Sequence, residues 1–280
     1  MIHEKIQFWD EHPEAYLVTY VSEDDPRIGV PPRKAMIVCP GGAYESISSR
    51  EAEPVAKKFF AEGMNTFVLY YSVHPDAKDF APLIELAMAI TFVREHCELY
   101  HIDPKQVFVT GFSAGGHLAA SAGTFWNHAK VREALGINEG RRPEGIDCPT
   151  GTILCYPVIT AGKYAHKPSI DHLCGSVEAT EEEREIFSLE KWVDEQTSPV
   201  FLWHTFSDGL VPVENSLLYM QALRAHNVPF EAHIFPYGPH GLSLGTAESA
   251  GAATARLNDH VSCWFTLALN WIRDLEKGTK

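Results

Sequence analysis

The chain has 280 residues, 45% of them hydrophobic, enough for one large core, and a formal net charge of −14. That charge argues against nucleic acid or an anionic membrane surface as a partner. The opening Met1-Ile2-His3-Glu4-Lys5-Ile6 has no apolar targeting core and no run approaches transmembrane length, so a cytoplasmic location is expected.

Six cysteines without a CxxC pair argue against a zinc site and against a disulfide framework. Residues 1–14 are polar and read as peripheral. Ala15–Val21 alternates as a strand, and Ser22–Arg33, with its prolines, reads as a connection. Ala35–Cys39 is a short continuous apolar run, the pattern of a strand buried on both faces, and it leads into Pro40-Gly41-Gly42-Ala43-Tyr44. Glu51–Glu62 has apolar residues at helical spacing, with Gly63 to stop it, and Thr66–Tyr71 reads as the next strand. Ala81–Tyr100 predicts a long helix with Leu83, Leu86, Ala87, Ile90 and Val93 on one face, after which Asp103-Pro104 turns the chain.

The next stretch organises the rest. The β-branched run Val107–Thr110 meets Gly111-Phe112-Ser113-Ala114-Gly115-Gly116-His117, which reads as strand, abrupt turn, helix, with a serine at the turn. Small residues two positions either side of Ser113 let such a turn form. The helix expected over Ala114–Trp126 starts beneath the serine, and its free N–H groups favour a developing anion. A second copy of the GxSxG pattern, Gly241-Leu242-Ser243-Leu244-Gly245, is separated from its nearest strand by Tyr237-Gly238-Pro239 and has no immediate amphipathic helix. Context therefore selects Ser113.

Beyond it, Asn127–Thr150 is charged and irregular, and Thr152–Tyr156 returns as a strand. Gly162–Thr197 reads as an insertion over the sheet with one or two short helices; its acidic run Glu178–Glu185 fits a solvated helix face. Pro199–Trp203 is a strand, Val213–Ala225 a helix, Phe230–Phe235 a strand and Asn258–Glu276 a closing helix. This alternation predicts an α/β fold, a mainly parallel central sheet covered by helices on both faces, as one domain over residues 1–280.

A serine needs a base to take its proton, and the base needs a carboxylate to hold its tautomer. Asp208 lies in the loop just past the Pro199–Trp203 strand; Glu214 competes, but its place in a first helical turn has a dipole explanation. His240 follows the last strand in a loop bounded by Gly238, Pro239 and Gly241. Among the 14 histidines, His117 lies along the elbow helix, while His204 and His233 belong to strands. The order Ser113…Asp208…His240 is the one this scaffold requires. The N–H of Ala114 and the glycine loop 40–44 are placed to hold an oxyanion. No positioned carboxylate pair of the glycosidase kind is evident.

Together, Gly41-Gly42-Ala43-Tyr44, Ile102-Asp103-Pro104, the Gly111–Ala119 segment, Trp203-His204-Thr205 with Asp208, and Gly238-Pro239-His240-Gly241 resemble the α/β-hydrolase superfamily. Within it the chain resembles the esterase/lipase branch that includes acetylxylan and other carbohydrate acetyl esterases, over roughly residues 35–272. The resemblance implies Ser113 as nucleophile, Asp208 and His240 as its partners, and Gly42, Ala43 and Ala114 as oxyanion donors. It departs from the His-Gly-Gly-Gly motif of the hormone-sensitive-lipase-like branch: Pro40-Gly41-Gly42-Ala43 stands there, without the imidazole that would brace the loop.

The expected activity is hydrolysis of short-chain, above all acetyl, esters of small carbohydrates through an acyl-enzyme, with no cofactor or metal and a small-molecule ester as the partner. Tyr44 and Trp126, with Tyr164 and Trp192, are candidates to stack on sugar rings. The alternatives are a hydrolase of another bond (aminopeptidase, formamidase or lactonase) and a silent hydrolase fold used for binding. A homodimer is left open.

Overall fold

Apolar β-branched runs become strands and runs with helical periodicity become helices, in close alternation. In a computed structural model that describes residues 1–8, 12–23, 25 and 27–278, the chain order begins with β1 (Lys5–Gln7), β2 (Tyr16–Tyr20), β3 (Arg33–Cys39), α1 (Glu53–Ala61), β4 (Asn65–Tyr70), α2 (Ala81–Glu95) and β5 (Ile102–Phe112). It continues with α3 (Ala114–Thr124), α4 (Ala129–Ala134), β6 (Gly151–Cys155), α5 (Lys167–Leu173), α6 (Glu181–Glu185), β7 (Val200–Thr205) and α7 (Glu214–Ala225). It closes with β8 (Phe230–Phe235), α8 (Ala247–Ala250), α9 (Asp259–Ser262) and α10 (Trp264–Glu276). Parts of the expected peripheral segment (9–11) and of the expected connection (24 and 26) lie outside the described residues.

The strands form one eight-stranded sheet in the order β1-β2-β4-β3-β5-β6-β7-β8, in which β1 and β2 are antiparallel and the pairings from β4 to β8 are parallel. The α/β-hydrolase expectation for the fold is met. The chain moves outward from β3 to β4 and then recrosses to β5, so strand order reverses between β3 and β5. The loops leaving those two strands therefore flank a crevice at their C-terminal ends, where ligands of such sheets bind.

Both faces of the sheet are covered, and β3 shows why its sequence is apolar throughout. Ala35, Ile37 and Cys39 pack with Leu83, Leu86 and Ile90 of α2 and Leu118 of α3. Met36 and Val38 pack on the other face with Val55 and Phe59 of α1 and Trp264 of α10. Along α10, Trp264, Phe265, Ala268, Leu269, Trp271 and Ile272 form the buried stripe. Burying each of the larger side chains contributes about 1.5–3 kcal/mol.

Several local expectations are corrected. Asp103-Pro104 lies inside β5, in an irregularity where residues 103–106 stand opposite Lys34 alone, because Arg33 pairs Ile102 and Ala35 pairs Val107. The stretch 127–150 is not wholly irregular: it contains α4, whose first turn is capped by the His128 ring accepting from Lys130 N–H. The closing helix is two, α9 and α10, meeting at Cys263. The N-terminal segment contributes an edge strand, since Lys5–Gln7 pairs with Tyr16–Val18 of β2. The insertion carries α5 and α6 as expected, and α6, opened by a Thr180–Glu183 capping box, buries none of its residues. All six cysteines are free, and no helix among the described residues is long and apolar enough to cross a membrane.

Candidate active site

Ser113 sits where β5 turns into α3, with φ 55° and ψ −118°, a backbone conformation that L-residues rarely hold. Its N–H donates to Cys155 O at 3.0 Å, which fixes the turn against the end of β6. The flanking glycines are required by contact. A Cβ on Gly115 would lie 2.1 Å from Cys39 O, and one on Gly111 would lie 1.9 Å from Gly115 O. Glycine at 115 lets the elbow press against the end of β3, and glycine at 111 lets the first turns of α3 pack on β5.

The loop after β8 brings His240 to the serine: its Nε2 lies 2.8 Å from Ser113 Oγ, and its Nδ1 lies 2.7 Å from Asp208 Oδ2. A carboxylate can only accept here, so Nδ1 carries the proton and Nε2 is left as acceptor for the serine hydroxyl. Asp208 is itself held, since its Oδ1 accepts the N–H groups of Leu210 at 2.9 Å and Val211 at 3.0 Å. Burial alone would raise its pKa. Hydrogen bonds from His204, His240 and the Leu210 N–H, with the charge interaction of His240, more than offset that and hold it well below the usual carboxylate range. His204 is fully buried behind the aspartate, with Nδ1 2.8 Å from Ser216 Oγ and Nε2 3.0 Å from Val211 O and 3.4 Å from Asp208 Oδ2.

Opposite the serine runs the loop after β3. Gly42 has φ 134°, and a Cβ there would fall 1.9 Å from Ser46 O; Ala43 and Tyr44 follow with φ 59° and 54°. Among the described residues, no protein acceptor takes the N–H groups of Gly42, Ala43 or Ala114. The bracing that the absent imidazole would supply comes from four other side chains. Glu51 Oε2 accepts the Gly41 N–H at 2.9 Å, and the Tyr71 hydroxyl donates to Pro40 O at 2.6 Å. His172 of α5 donates from Nδ1 to Ala43 O at 3.0 Å. Tyr44 donates its hydroxyl proton to His117 Nδ1 at 3.1 Å, while His117 Nε2 donates to Phe187 O at 2.9 Å. The insertion thus holds the loop from above.

These contacts correct part of the substrate-binding expectation. Tyr44 is fully buried with its ring edge-to-face on Tyr71, so it cannot stack on a sugar. Trp126 lies just past the far end of α3, its Nε1 3.4 Å from Gln196 O, away from the serine. Trp192 packs edge-to-face on Phe125 in a surface hollow beside α6, and Tyr164 is anchored through its carbonyl to Asn215. Glu214 opens α7; the carboxylate on His240 is that of Asp208. The second GxSxG serine, Ser243, is fully buried and donates to Arg50 O at 2.9 Å.

A cavity of about 400 Å³ opens above Ser113 and His240, bounded by Gly42, Ala43 and Leu210. His166 of the insertion, Arg50, Glu51 and Arg256 also line it, and sequence reasoning missed all four. Glu51 falls at the start of a helical run, where an acidic residue is read as exposed. Yet it is only 3% exposed and its Oε1 accepts the Tyr156 hydroxyl at 2.7 Å. Strand ends carry the other members of the site, and Tyr156 directly follows β6; that placement was the signal available for it.

The chain's similarities agree with this geometry. The family model described as BD-FAE matches residues 25–223. The chain is 39% identical over 237 residues to an endo-1,4-beta-xylanase B of Butyrivibrio fibrisolvens, covering 83% of this chain and 35% of that protein. It is 28% identical over 239 residues to an acetylxylan esterase of Xylanibacter ruminicola, covering 83% and 45%. The chain thus spans less than half the length of these two curated relatives. Among solved structures, it superposes on an acetyl ester-xyloside bifunctional hydrolase from Caldicellulosiruptor lactoaceticus with a TM-score of 0.79 and 34% identity, covering 98% of this chain and 96% of that one. On the carboxylesterase Cest-2923 from Lactobacillus plantarum the TM-score is 0.84 at 27% identity, covering 99% and 98%. The chain belongs to the BD-FAE family, within the esterase branch of the α/β-hydrolase superfamily.

Proposed function

We propose that the chain is a serine carboxylic ester hydrolase acting on short-chain, above all acetyl, esters of small carbohydrates. The observation that carries this reading is the continuous hydrogen-bonded line Ser113 Oγ–His240–Asp208, set opposite backbone N–H groups that no acceptor takes among the described residues. His240 Nε2 takes the serine proton as Oγ attacks the ester carbonyl carbon. The oxyanion that forms accepts from the N–H groups of Ala114 and of Gly42 or Ala43. His240 then returns the proton to the leaving alcohol oxygen, giving an acyl-Ser113, which water hydrolyses by the same two proton transfers in reverse.

A cavity of about 400 Å³ accommodates an acetyl group together with a small alcohol. A hydroxyl-bearing alcohol would find hydrogen-bonding partners in the lining, where Ser46, Ser48, Arg50, His166 and Arg256 stand beside the apolar Ala43 and Leu210. The acetylxylan esterase and the acetyl ester-xyloside hydrolase among its relatives point to acetylated xylo-oligosaccharides. A cytoplasmic location, with imported oligosaccharides as substrates, is part of the proposal.

The test is an acyl-length series of p-nitrophenyl esters from acetate to octanoate, run beside an acetylated xylo-oligosaccharide. The reading expects kcat/KM to fall steeply beyond butyrate and acetate to be released from the oligosaccharide. Preference for octanoate, or cleavage of amides alone, would contradict it.

A further inference from the structure

The cavity above Ser113 has a charge character opposite to that of the chain. Acidic side chains outnumber basic ones by 37 to 23 over the sequence, yet the cavity is lined by two arginines and by His166. The one carboxylate among its described lining residues, Glu51, is already taken by the Gly41 N–H and the Tyr156 hydroxyl.

Both arginines are tied to the loop that carries His240. Arg256 Nε donates to Gly241 O at 3.2 Å, one residue past the histidine. Arg50 accepts the Ser243 hydroxyl at its carbonyl, 2.9 Å away. Neither guanidinium enters an ion pair among the described residues, and Arg50 Nη1 is buried with no hydrogen-bond partner among them. Leaving a buried donor unsatisfied costs on the order of 1–3 kcal/mol, so turning the Arg50 guanidinium toward an acceptor in the cavity breaks no existing hydrogen bond of Nη1. A guanidinium presents its N–H groups as a planar fork that matches a carboxylate in two parallel hydrogen bonds.

We propose that Arg50 and Arg256 form a subsite for a carboxylate carried by the ester substrate beside its scissile bond. The proposal rests on Ser113 being the serine at which that ester is cleaved. The carboxylate can belong to the alcohol half, as in a uronate-bearing acetylated oligosaccharide, or to the acyl half, as in a monoester of a dicarboxylic acid.

Binding to the Ser113→Ala protein separates this proposal from the esterase reading, because it needs no turnover. Titration calorimetry would compare an aldouronic xylo-oligosaccharide with its neutral parent, and a succinate monoester with the matching butyrate ester. The acid should bind about tenfold or more tightly than its neutral counterpart in one of the two pairs, which identifies the half that carries the charge. That advantage should shrink as salt rises from about 20 mM to about 500 mM. Arg50→Gln and Arg256→Gln should each remove most of it, whereas Arg50→Lys, which keeps the charge without the fork, should restore part. Thermal midpoints establish that each variant is folded. Equal affinity for acid and neutral ligands in both pairs, or an acid preference that survives both glutamine substitutions, would overturn the subsite. Failure of the wild-type protein to hydrolyse either p-nitrophenyl acetate or the acid-bearing esters would overturn the esterase reading, whereas the binding comparison in Ser113→Ala decides the carboxylate subsite.

Discussion

Tyr156 donates its hydroxyl to Glu51 Oε1 at 2.7 Å while its ring lies edge-on to His240, with centroids 5.0 Å apart. The same hydroxyl accepts the Ser243 N–H at 2.8 Å, and the same carboxylate holds the Gly41 N–H. One buried pair thereby joins the loop of the expected oxyanion donors to the loop that carries the histidine.

Glu51→Gln tests that link. The amide must keep its oxygen toward Gly41, because two N–H groups cannot face each other, so the Tyr156 hydroxyl proton loses its acceptor. Losing that buried bond should lower stability by about 1–3 kcal/mol. It should lower kcat on p-nitrophenyl acetate by about tenfold, with KM within about twofold, since the change acts on positioning of the reacting groups. Thermal midpoints and kcat with KM measured together check this; a wild-type kcat in the folded variant would show that the two loops are not coupled through Glu51.

Asp208→Asn should be far more costly than its size suggests. The asparagine oxygen is claimed by the N–H groups of Leu210 and Val211, which turns its NH₂ toward His240 Nδ1. Nδ1 must then accept, the ring proton moves to Nε2, and the base is lost; kcat should fall by roughly 10⁴ with the fold intact. Glu214→Gln, in the first turn of α7, should change kcat little. Steady-state kinetics of the two variants decide, and equal losses would contradict the assignment of the carboxylate.

Acid should weaken the fold through His117 before it reaches Asp208. Burial depresses the His117 pKa to about 4 from its ordinary 6.5, only partly countered by the Phe187 carbonyl. Between those values the unfolded chain binds more protons than the native one, so stability falls as pH falls through that window, by about 3 kcal/mol in all. Asp208 is depressed as well, so its contribution is present above the ordinary carboxylate range and is lost only at lower pH. Urea midpoints at about pH 7 and about pH 5 should differ in the wild type and differ less in His117→Gln. A variant with the same pH slope as the wild type would rule out His117 as the sensitive group.

Much of this was legible from residue order. The span Phe230–Phe235 matches β8 end for end, because a short alternating run bounded by Pro229 and Pro236 has little freedom. Ser113, Asp208 and His240 could be placed because each follows a strand and each loop carries few competing residues. Glu51 could not, since its partner Tyr156 lies 105 residues away and the periodicity around it describes an exposed helix start. Tyr44 failed for a related reason: an aromatic in a glycine loop reads alike whether its ring faces a cavity or Tyr71 and His117. The edge strand β1, only Lys5–Gln7, exists through its pairing with β2 and has no pattern of its own.

The most direct test of the central claim is labelling with a fluorophosphonate, which reacts with a serine hydroxyl activated by a neighbouring base. Ser113 Oγ, 2.8 Å from His240 Nε2, should take a single adduct, mapped by peptide mass spectrometry, and Ser113→Ala should take none. Ser243→Ala should label like the wild type but melt at a lower temperature, because Arg50 O loses its hydroxyl donor. An adduct on Ser243, or an unlabelled wild-type protein, would contradict Ser113 as the nucleophile.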